Sequence, residues 1–414
     1  MMTGLLGALR SGAWLTQQRL RLYPLTLLAV YASIIIAALL TATGPMDPLR
    51  RPLGTDFSQV WAAGVSVIAG HPEQPFDPAL HAAAQRALFA PDTPFYGWHY
   101  PPYFLVVAAL TALLPYVPAL LAWQAASFAG YLLVMRRILP HPLTLLLAAA
   151  FPAVLVNLGH GHNGFLTAGL LGGGLLVLQR RPVLAGVLLG LLAYKPQFGI
   201  VLPVALIAGQ RWVAVASAAA TVTLMTLGTL VAFGAGTWRA FQSSLPFTRT
   251  VVLEAGTTGW EKIQSAFSAA RALEAGVGMA YAIQGALTAG VVLALAWLWR
   301  GPADQRLKSA ALIAGALLST PYVLDYDMVV LGPALAFAVS WERERGFRPW
   351  MASLLAAVWI APILARGMAA LTLVPLGLSA MVAFFVATLL AARTGPVTPP
   401  ITAQVSPAGT PPPA

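Results

Sequence analysis

The chain has 414 residues, of which 58% are hydrophobic and 9% are charged, and its mean hydropathy of +0.76 excludes an ordinary soluble domain. Its net charge of +11 does not indicate nucleic-acid binding, because Lys and Arg stand singly or in pairs between apolar runs, as in proteins oriented in a membrane by their basic loops. Membrane lipids are therefore expected partners, and the absence of cysteine excludes disulfides and thiolate metal sites.

The N-terminal part predicts a surface helix followed by a first membrane span. Residues 1–23 place Arg10, Arg19 and Arg21 among leucines, which is typical of an interfacial helix on the cytoplasmic side. The run 24–43 has no charge and has about the 20 residues needed to cross a bilayer. It is too long for the core of a signal peptide, so we expect an uncleaved spanning helix.

The rest of the chain predicts one transmembrane domain over residues 1–393. A first external loop over 44–101 carries catalytic groups, and a second external loop spans 235–279. In all, about thirteen hydrophobic segments are present, and several are too short to cross a bilayer alone, so some must be broken or re-entrant. The predicted fold class is an all-α integral membrane protein, a helix bundle with about 12–13 hydrophobic segments and external surface helices. The Pro-rich tail 394–414 is expected to be disordered.

The arrangement of basic residues predicts the topology. If the basic groups at the ends of the apolar runs are cytoplasmic, then residues 160–163, Lys195, the second loop and Asp325/Asp327 lie outside. This assignment requires that one of the two runs between 102 and 135 does not span. Otherwise Arg136 and Arg137, which follow them, would also face out.

Asp56 follows the first span in the segment Gly54-Thr55-Asp56-Phe57 and precedes an amphipathic run. One interpretation is that it caps the N-terminus of a helix on the membrane surface. The other is a general base at the water–lipid boundary, where burial and neighbours tune its pKa.

Two aromatic or histidine-containing motifs come next. Tyr96–Tyr103 contains His99, Tyr100 and a Pro-Pro pair, and predicts either an aromatic belt at a helix start or a stacking surface for a sugar or a lipid-phosphate head with His99 as donor. The segment Gly159–Gly164 contains His162 and Asn163, and predicts either a tight turn or a phosphate site at a helix N-terminus. Two histidines with no third partner are a weak metal signal.

Three charged residues interrupt later apolar runs. Lys195 has no nearby Arg in sequence and is either a cation that meets an anionic substrate or a side chain that reaches the interface. Asp325 and Asp327 either cap a helix or reach inward from a broken turn, where they could position acceptor hydroxyls or, with phosphate, hold a hydrated divalent cation.

Taken in order, the motifs resemble glycosyltransferase family 87 of the GT-C superfamily, a group that includes polyprenol-phosphomannose-dependent alpha-mannosyltransferases. The resemblance covers roughly residues 50–345. It is carried by Asp56-Phe57, by Tyr100-Pro101-Pro102, by the Gly161–Gly164 turn, and by the stretches Leu188–Gln197 and Thr320–Asp327. The resemblance implies a GT-C membrane fold in which Asp56 matches the catalytic base. His162 replaces the glutamine usual in relatives. Some relatives have a histidine where this chain has Tyr326 or Asp327. A phosphate-binding histidine is therefore not expected at that site.

The expected activity is transfer of a hexose, with mannose favoured, from a polyprenyl-phosphate sugar to a lipid-linked or envelope glycan by inverting single displacement. It would take place on the extracytoplasmic face of the plasma (inner) membrane. Asp56 is the expected catalytic residue; the expected substrate-binding residues are His99, Tyr100, His162, Asn163, Lys195, Asp325 and Asp327. No metal ligand is assigned, although a divalent cation stays open. The rival hypotheses are a transporter or flippase of lipid-linked sugars, which forms no glycosidic bond, and a non-catalytic scaffold.

Overall fold

The computed structural model describes residues 2–393, and that part of the chain is helical without any strand. The predicted fold class, an all-α integral membrane protein, is confirmed. Six of the described helices are long and apolar enough to cross a membrane, judged by length and composition. The predicted disordered tail 394–414 lies outside the described residues.

The first third of the described chain contains a short N-terminal helix and then two long helices with three shorter helices between them. The helices are α1 (Met2–Ser11), α2 (Gln17–Thr41), α3 (Thr55–Ile68), α4 (Pro78–Leu88), α5 (Tyr103–Thr111) and α6 (Tyr116–Ile138). The predicted first span is present as α2, which starts earlier than expected and holds Pro24 in its second turn. At about 1.5 Å per residue, α5 is too short to cross a bilayer. Since α5 does not span, only one of the two runs between 102 and 135 crosses the membrane, and Arg136 and Arg137 can lie on the cytoplasmic side.

The middle of the chain has the broken helices that the short apolar runs predicted. It forms α7 (Thr144–Ala149), α8 (Pro152–His160), α9 (Gly164–Val177), α10 (Pro182–Leu191), α11 (Leu202–Ala208) and α12 (Trp212–Phe247). Two 3-10 turns, Leu192–Tyr194 and Pro196–Gly199, separate α10 from α11. Helix α12 is kinked at Gly234 (φ 77°, ψ 164°), a conformation that glycine adopts without strain. Beyond the kink the chain stays helical to Phe247 and continues as a π-helix, Thr248–Glu254, so the start of the predicted second loop is helical.

The last third contains the most buried helices. It forms α13 (Ala266–Ala272), α14 (Val277–Arg300), α15 (Gln305–Leu318), a 3-10 turn (Asp325–Val330), α16 (Leu331–Arg345), α17 (Met351–Thr372) and α18 (Leu376–Arg393). Every residue of α15 from Leu307 to Leu318 is buried, whereas α2 buries only Pro24 and Tyr31. In a membrane the apolar outer face of α2 needs no protein cover, because lipid chains are as apolar as leucine.

Small residues allow the helices to approach closely. A Cβ added at Gly64 of α3 would clash with the carbonyl oxygen of Ala108 in α5, and one at Gly186 of α10 would clash with that of Ala214 in α12. Close backbone approach of this kind is the usual basis of helix packing in membranes. Helix α3 thus packs closely against α5, and its place at the membrane surface stays a prediction.

Three breaks in the apolar helices meet at one place. They are the α8–α9 turn, the 3-10 turns between α10 and α11, and the segment between α15 and α16; all three line a single cavity. Non-helical backbone at membrane depth is tolerated where it lines a cavity. The fold therefore brings together sequence motifs that lie far apart along the chain.

Candidate active site

The cavity at these breaks has a volume of about 750 Å³. Its walls come from the start of α3, the segment 95–100, the three breaks, the end of α12 with the π-helix, and α17. Six of the eight predicted site residues line it: Asp56, His99, Tyr100, His162, Lys195 and Asp327. Asn163 and Asp325 are buried directly behind this lining.

Asp56 is the second residue of α3 and its carboxylate faces the cavity. The N-cap is Gly54, with φ 63° and no side-chain cap, so the capping interpretation of Asp56 is wrong. Among the described residues, the only basic group within ion-pair distance of Asp56 is His160, whose Nδ1 lies 3.9 Å from Oδ1. The same Nδ1 lies 2.9 Å from the hydroxyl of Thr55. Asp56 thus keeps most of its hydrogen-bonding capacity for a ligand.

His160 lies at the end of the short helix α8. Burial lowers the pKa of its imidazole below the ordinary 6.5, and nearby Asp56 opposes that shift. The ring is therefore neutral at pH 7; it hydrogen bonds to Thr55 and lies beside Asp56 without a hydrogen bond to it. Sequence reasoning placed His160 in the turn motif without assigning it to the site; no local pattern shows that it faces Asp56.

Lys195 and Asp327 form a buried ion pair. Lys195 Nζ donates to Asp327 Oδ1 at 2.7 Å, and the two side chains are 3% and 1% exposed. Asp327 Oδ2 accepts from the backbone N–H of Leu324 at 3.1 Å. The view of Lys195 as an unpaired cation was therefore wrong. Its carboxylate partner is 132 residues away in sequence, beyond the reach of local pattern.

Asp325 points away from Asp327. Its Oδ2 lies 3.8 Å from Arg366 of α17, and its Oδ1 accepts from the backbone N–H of Tyr326. The two acids therefore do not form a joint cation site. Within residues 2–393, no group of three or more His, Asp or Glu side chains is arranged to hold a metal ion.

The α8–α9 turn presents side chains to the cavity and keeps its backbone occupied. The N–H groups of Gly161 and His162 donate to backbone carbonyls of α8, and that of Gly164 donates to the side chain of Asn157. These three N–H groups are therefore not free to hold a phosphate, and a phosphate site at the start of α9 stays a prediction. The His162 ring stacks on Tyr326 with centroids 3.7 Å apart, and its Nε2 lies 3.3 Å from the hydroxyl of Tyr100.

Asn163 has a buried amide whose oxygen and nitrogen both lack a hydrogen-bond partner among the described residues. Unsatisfied buried amides are uncommon and point to a missing partner such as a water or ligand. His99 Nδ1 lies 2.8 Å from the hydroxyl of Thr248, and this contact ties the aromatic segment to the π-helix. His99 lines the cavity with one ring nitrogen already engaged.

Cations exceed carboxylates around the cavity. The lining includes five Lys or Arg side chains and two carboxylates; the cations are Arg51, Lys195, Arg249, Lys262 and Arg366. Lys262 lies over the ring of Tyr326 at 5.2 Å and is within ion-pair distance of no carboxylate in the described part of the chain. An antiparallel bridge between Ile263 and Leu324 places it there. The other four cations are each within ion-pair distance of a carboxylate, so Lys262 is the lining cation best placed to meet an anionic ligand.

Lys262 and Arg366 were not assigned to the site from the sequence. Lys262 lay within a hydrophilic region that had no recognisable motif, and its place depends on the bridge to Leu324. Arg366 could have been noticed as a lone charge in an apolar run, since such groups usually face a polar cavity.

One wall of the cavity is apolar. Phe241, Leu245 and Phe247 of α12 line it together with Val251 and Val252 of the π-helix. Leu245 is also 49% exposed at the outer surface of a helix long enough to span a membrane. The cavity therefore combines a charged region with an apolar side that reaches the outer surface of the protein.

Comparison with known proteins gives one result at the level of family. The model of glycosyltransferase family 87 matches residues 98–324, more than half of the chain. The matched range includes Tyr100, Lys195 and Lys262 but ends before Asp325 and begins after Asp56. Comparisons with curated proteins and with solved structures give no match.

Proposed function

The chain belongs to glycosyltransferase family 87, and we propose that it transfers a hexose, with mannose favoured, from a polyprenyl-phosphate sugar to a lipid-linked or envelope glycan. The family makes it a glycosyltransferase, and its helices make it a multi-pass membrane protein. The observation that carries the proposal is the state of Asp56, a carboxylate free of any Lys or Arg partner in the same cavity as Lys262, a cation with no carboxylate partner among the described residues.

In the proposed reaction the acceptor hydroxyl oxygen attacks the anomeric carbon of the donor. The bond between that carbon and the phosphate oxygen breaks, and the polyprenyl phosphate leaves with the electron pair. Asp56 takes the hydroxyl proton, so one displacement inverts the anomeric configuration. Phosphate is already a good leaving group, so one carboxylate suffices, in contrast to the carboxylate pair of glycoside hydrolysis.

The cations of the cavity stabilise the negative charge of the leaving phosphate. Lys262 is the strongest candidate for this role because it has no carboxylate partner, whereas Asp327 already compensates Lys195. Arg366 lies beyond ideal hydrogen-bond distance from both of its acidic neighbours, Glu261 and Asp325, and is half exposed. Preorganised cations aimed at developing charge are a large source of rate enhancement.

The acceptor sugar has its own polar contacts in this proposal. The hydroxyl of Tyr100 lies 3.3 Å from Nε2 of His162, and the adjacent Asn163 has a buried amide without a hydrogen-bond partner among the described residues. We expect these side chains to orient hydroxyl groups of the donor or acceptor. Both oxygens of Asp327 already accept hydrogen bonds, so a divalent cation would have to be held by other groups of the cavity.

The lipid part of the donor would lie along the apolar wall formed by α12 and the π-helix. This wall lets the polyprenyl chain stay between helices while its phosphate reaches the cations. The distribution of Lys and Arg supports an extracytoplasmic active site in the plasma (inner) membrane.

The test is product formation by the full chain reconstituted in lipid nanodiscs. Labelled polyprenyl-phosphomannose and a membrane extract are supplied to the wild type, to Asp56→Asn and to a control, Asp92→Asn. Asp92 lies in the same predicted loop and makes only an exposed ion pair with Arg50, so its loss is expected to be nearly neutral. The proposal expects a labelled glycan from the wild type and the control, and very little from Asp56→Asn.

Two results would count against the proposal. Equal product from Asp56→Asn and the wild type would remove Asp56 from the mechanism. Movement of lipid-linked sugar across the bilayer without a new glycosidic bond, with Asp56→Asn fully active, would favour the transporter.

A further inference from the structure

A second cavity, of about 600 Å³, lies at the far end of α12 from the active site. The turn between α11 and α12 forms one side, and the turn between α14 and α15 forms the other. Helix α12 begins at this cavity with Trp212 and reaches the active-site cavity with Phe241 to Phe247. The two cavities are therefore separate, and the proposed reaction does not use this one.

The second cavity carries positive charge without counter-charge. Lys308 and Arg300 line it, and Arg211 lies beside it, with Nη2 3.4 Å from Gln305 Oε1. Over residues 2–393, none of the three is within ion-pair distance of a carboxylate. The remaining residues, 394–414, contain no Asp or Glu. Three cations at one end of the bundle thus lack any acidic side chain as partner.

Lys308 is 8% exposed, which is rare for a lysine without an acidic partner. Its Nζ donates to the carbonyl oxygens of Trp299 at 3.2 Å and Gly301 at 2.7 Å, at the end of α14. An ammonium group has three donors, so one is left. Capping of α14 explains two of the donors of Lys308 and leaves Arg211 and Arg300 unexplained.

Two further donors near this cavity have no partner. The indole N–H of Trp299, a residue that lines the cavity and is 2% exposed, lacks an acceptor in the described chain, and so does Nε of Arg211. Gln210 also lines the cavity and holds a left-handed backbone conformation (φ 54°) that is uncommon outside glycine. This conformation ends α11, because the N–H of Gln210 donates to Ile207 and that of Arg211 donates to Leu206, the pattern of a Schellman cap.

We infer that this cavity binds the phosphate group of an anionic phospholipid headgroup. Phosphate offers several acceptor oxygens and a negative charge, which are what Lys308, Arg300 and Arg211 lack. A lipid is favoured as the source because Trp212 lines the cavity and is 59% exposed, as tryptophans at the level of headgroups are. Ile207 and Val213, which flank the site in sequence, are exposed apolar residues that acyl chains would cover.

The test measures lipid retention by the full chain in nanodiscs of phosphatidylcholine, with or without phosphatidylglycerol. Native mass spectrometry counts the phosphatidylglycerol molecules that stay bound. The wild type is expected to retain phosphatidylglycerol in preference to phosphatidylcholine. The double variant Arg211→Gln/Arg300→Gln is expected to bind it at least about tenfold more weakly, because charge-assisted bonds to phosphate are lost.

The matched control is Arg180→Gln/Arg181→Gln. This pair is exposed, makes no ion pair in the described structure, and lies between α9 and α10 at the end remote from the active-site turn. It removes the same charge without touching the cavity, so it should retain phosphatidylglycerol as the wild type does. Unchanged thermal unfolding of both double variants in phosphatidylcholine alone would show that they fold.

Three results would overturn the inference. They are the absence of any preference in the wild type, equal losses in the two double variants, and replacement of phosphatidylglycerol by millimolar inorganic phosphate. The last result would assign the cavity to a soluble phosphate.

Discussion

Two carboxylates line the active-site cavity, and they differ in their exposure and in their hydrogen-bond partners. Asp327 is 1% exposed, and its two oxygens accept from Lys195 and from the backbone of Leu324. Asp56 is 16% exposed, and the closest basic group is a histidine nitrogen at 3.9 Å. An acid whose lone pairs are occupied stabilises the fold around it, whereas an acid with free lone pairs can accept a proton from a substrate.

The difference follows from where each acid lies in the fold. Asp327 belongs to the break between α15 and α16, the most buried part of the protein, where an unpaired carboxylate would be costly. Asp56 lies in the first turn of α3, where the helix dipole stabilises its charge without a cation. Loss of each side chain should therefore affect a different property, and the predictions below separate activity from stability.

The largest expected effect is the loss of activity in Asp56→Asn. Removal of a general base lowers rates by about 10²- to 10⁴-fold. The thermal unfolding temperature should stay near that of the wild type, because Asp56 makes no ion pair with Lys or Arg. Turnover and unfolding are measured on the same reconstituted sample. A variant that is both inactive and strongly destabilised would contradict the separation of roles.

The next effect is on stability, in Asp327→Asn. This change leaves the buried ammonium of Lys195 without its counter-charge, and breaking such a pair typically costs about 3–5 kcal/mol. The double variant Lys195→Met/Asp327→Leu removes both charges and should recover much of the lost stability. Thermal unfolding of the reconstituted protein measures both variants. If Asp327→Asn instead unfolds like the wild type and loses activity as Asp56→Asn does, Asp327 would be the better candidate for the base.

A smaller effect is expected in Lys262→Gln, which tests the unpaired cation. A hydrogen bond to a charged group is worth about 1.5–3 kcal/mol, so kcat/KM for the donor should fall about tenfold or more. Stability should hardly change, because Lys262 has no carboxylate partner to leave behind. The control is Arg180→Gln, which removes an equal charge far from the cavity. Equal kinetics for Lys262→Gln and Arg180→Gln would show that Lys262 does not contact the phosphate.

Much of the fold was predictable because hydrophobic length and charge are local properties. The all-α membrane class, the first span and the presence of broken helices were all predicted from the sequence and are confirmed. The apolar run was predicted to end at Gly234, where the backbone is non-helical, and the chain resumes as a helix beyond it, which the polar region 234–278 was expected to allow. The packing of α3 against α5 depends on the close approach at Gly64, which the sequence of one helix alone does not reveal.

The sequence predicted which residues form the site better than it predicted the contacts between them. The motifs that contain Asp56, Tyr100, His162, Lys195 and Asp327 do meet in one cavity. Their pairings are long-range, so the Lys195–Asp327 ion pair and the contact between Asp56 and His160 could not be inferred from spacing. Lys262 lies in the site because the adjacent residue, Ile263, pairs with Leu324.

The smallest expected effect concerns His160, through the pH dependence of activity. Burial lowers the pKa of His160 below 6.5; Asp56 and Asp325 oppose the shift, and Lys262 and Arg366 add to it. The ring is thus neutral above pH 6.5 and becomes charged only as the pH falls below that value. An imidazolium next to Asp56 would hold the carboxylate in its ionised form and weaken it as a base.

The wild type should therefore show level activity from about pH 6.5 to 8 and decline below that range. His160→Gln keeps a group that can hydrogen bond to Thr55 but cannot titrate. We expect its rate at pH 7.5 to stay within about tenfold of the wild type, because the hydrogen bond to Thr55 can be kept, and its decline to begin at lower pH than in the wild type. Rates from pH 5 to 8 measure both. Identical acid limbs in the two proteins would mean that the proton on His160 does not control Asp56, and that Asp56 acts as the base without its help.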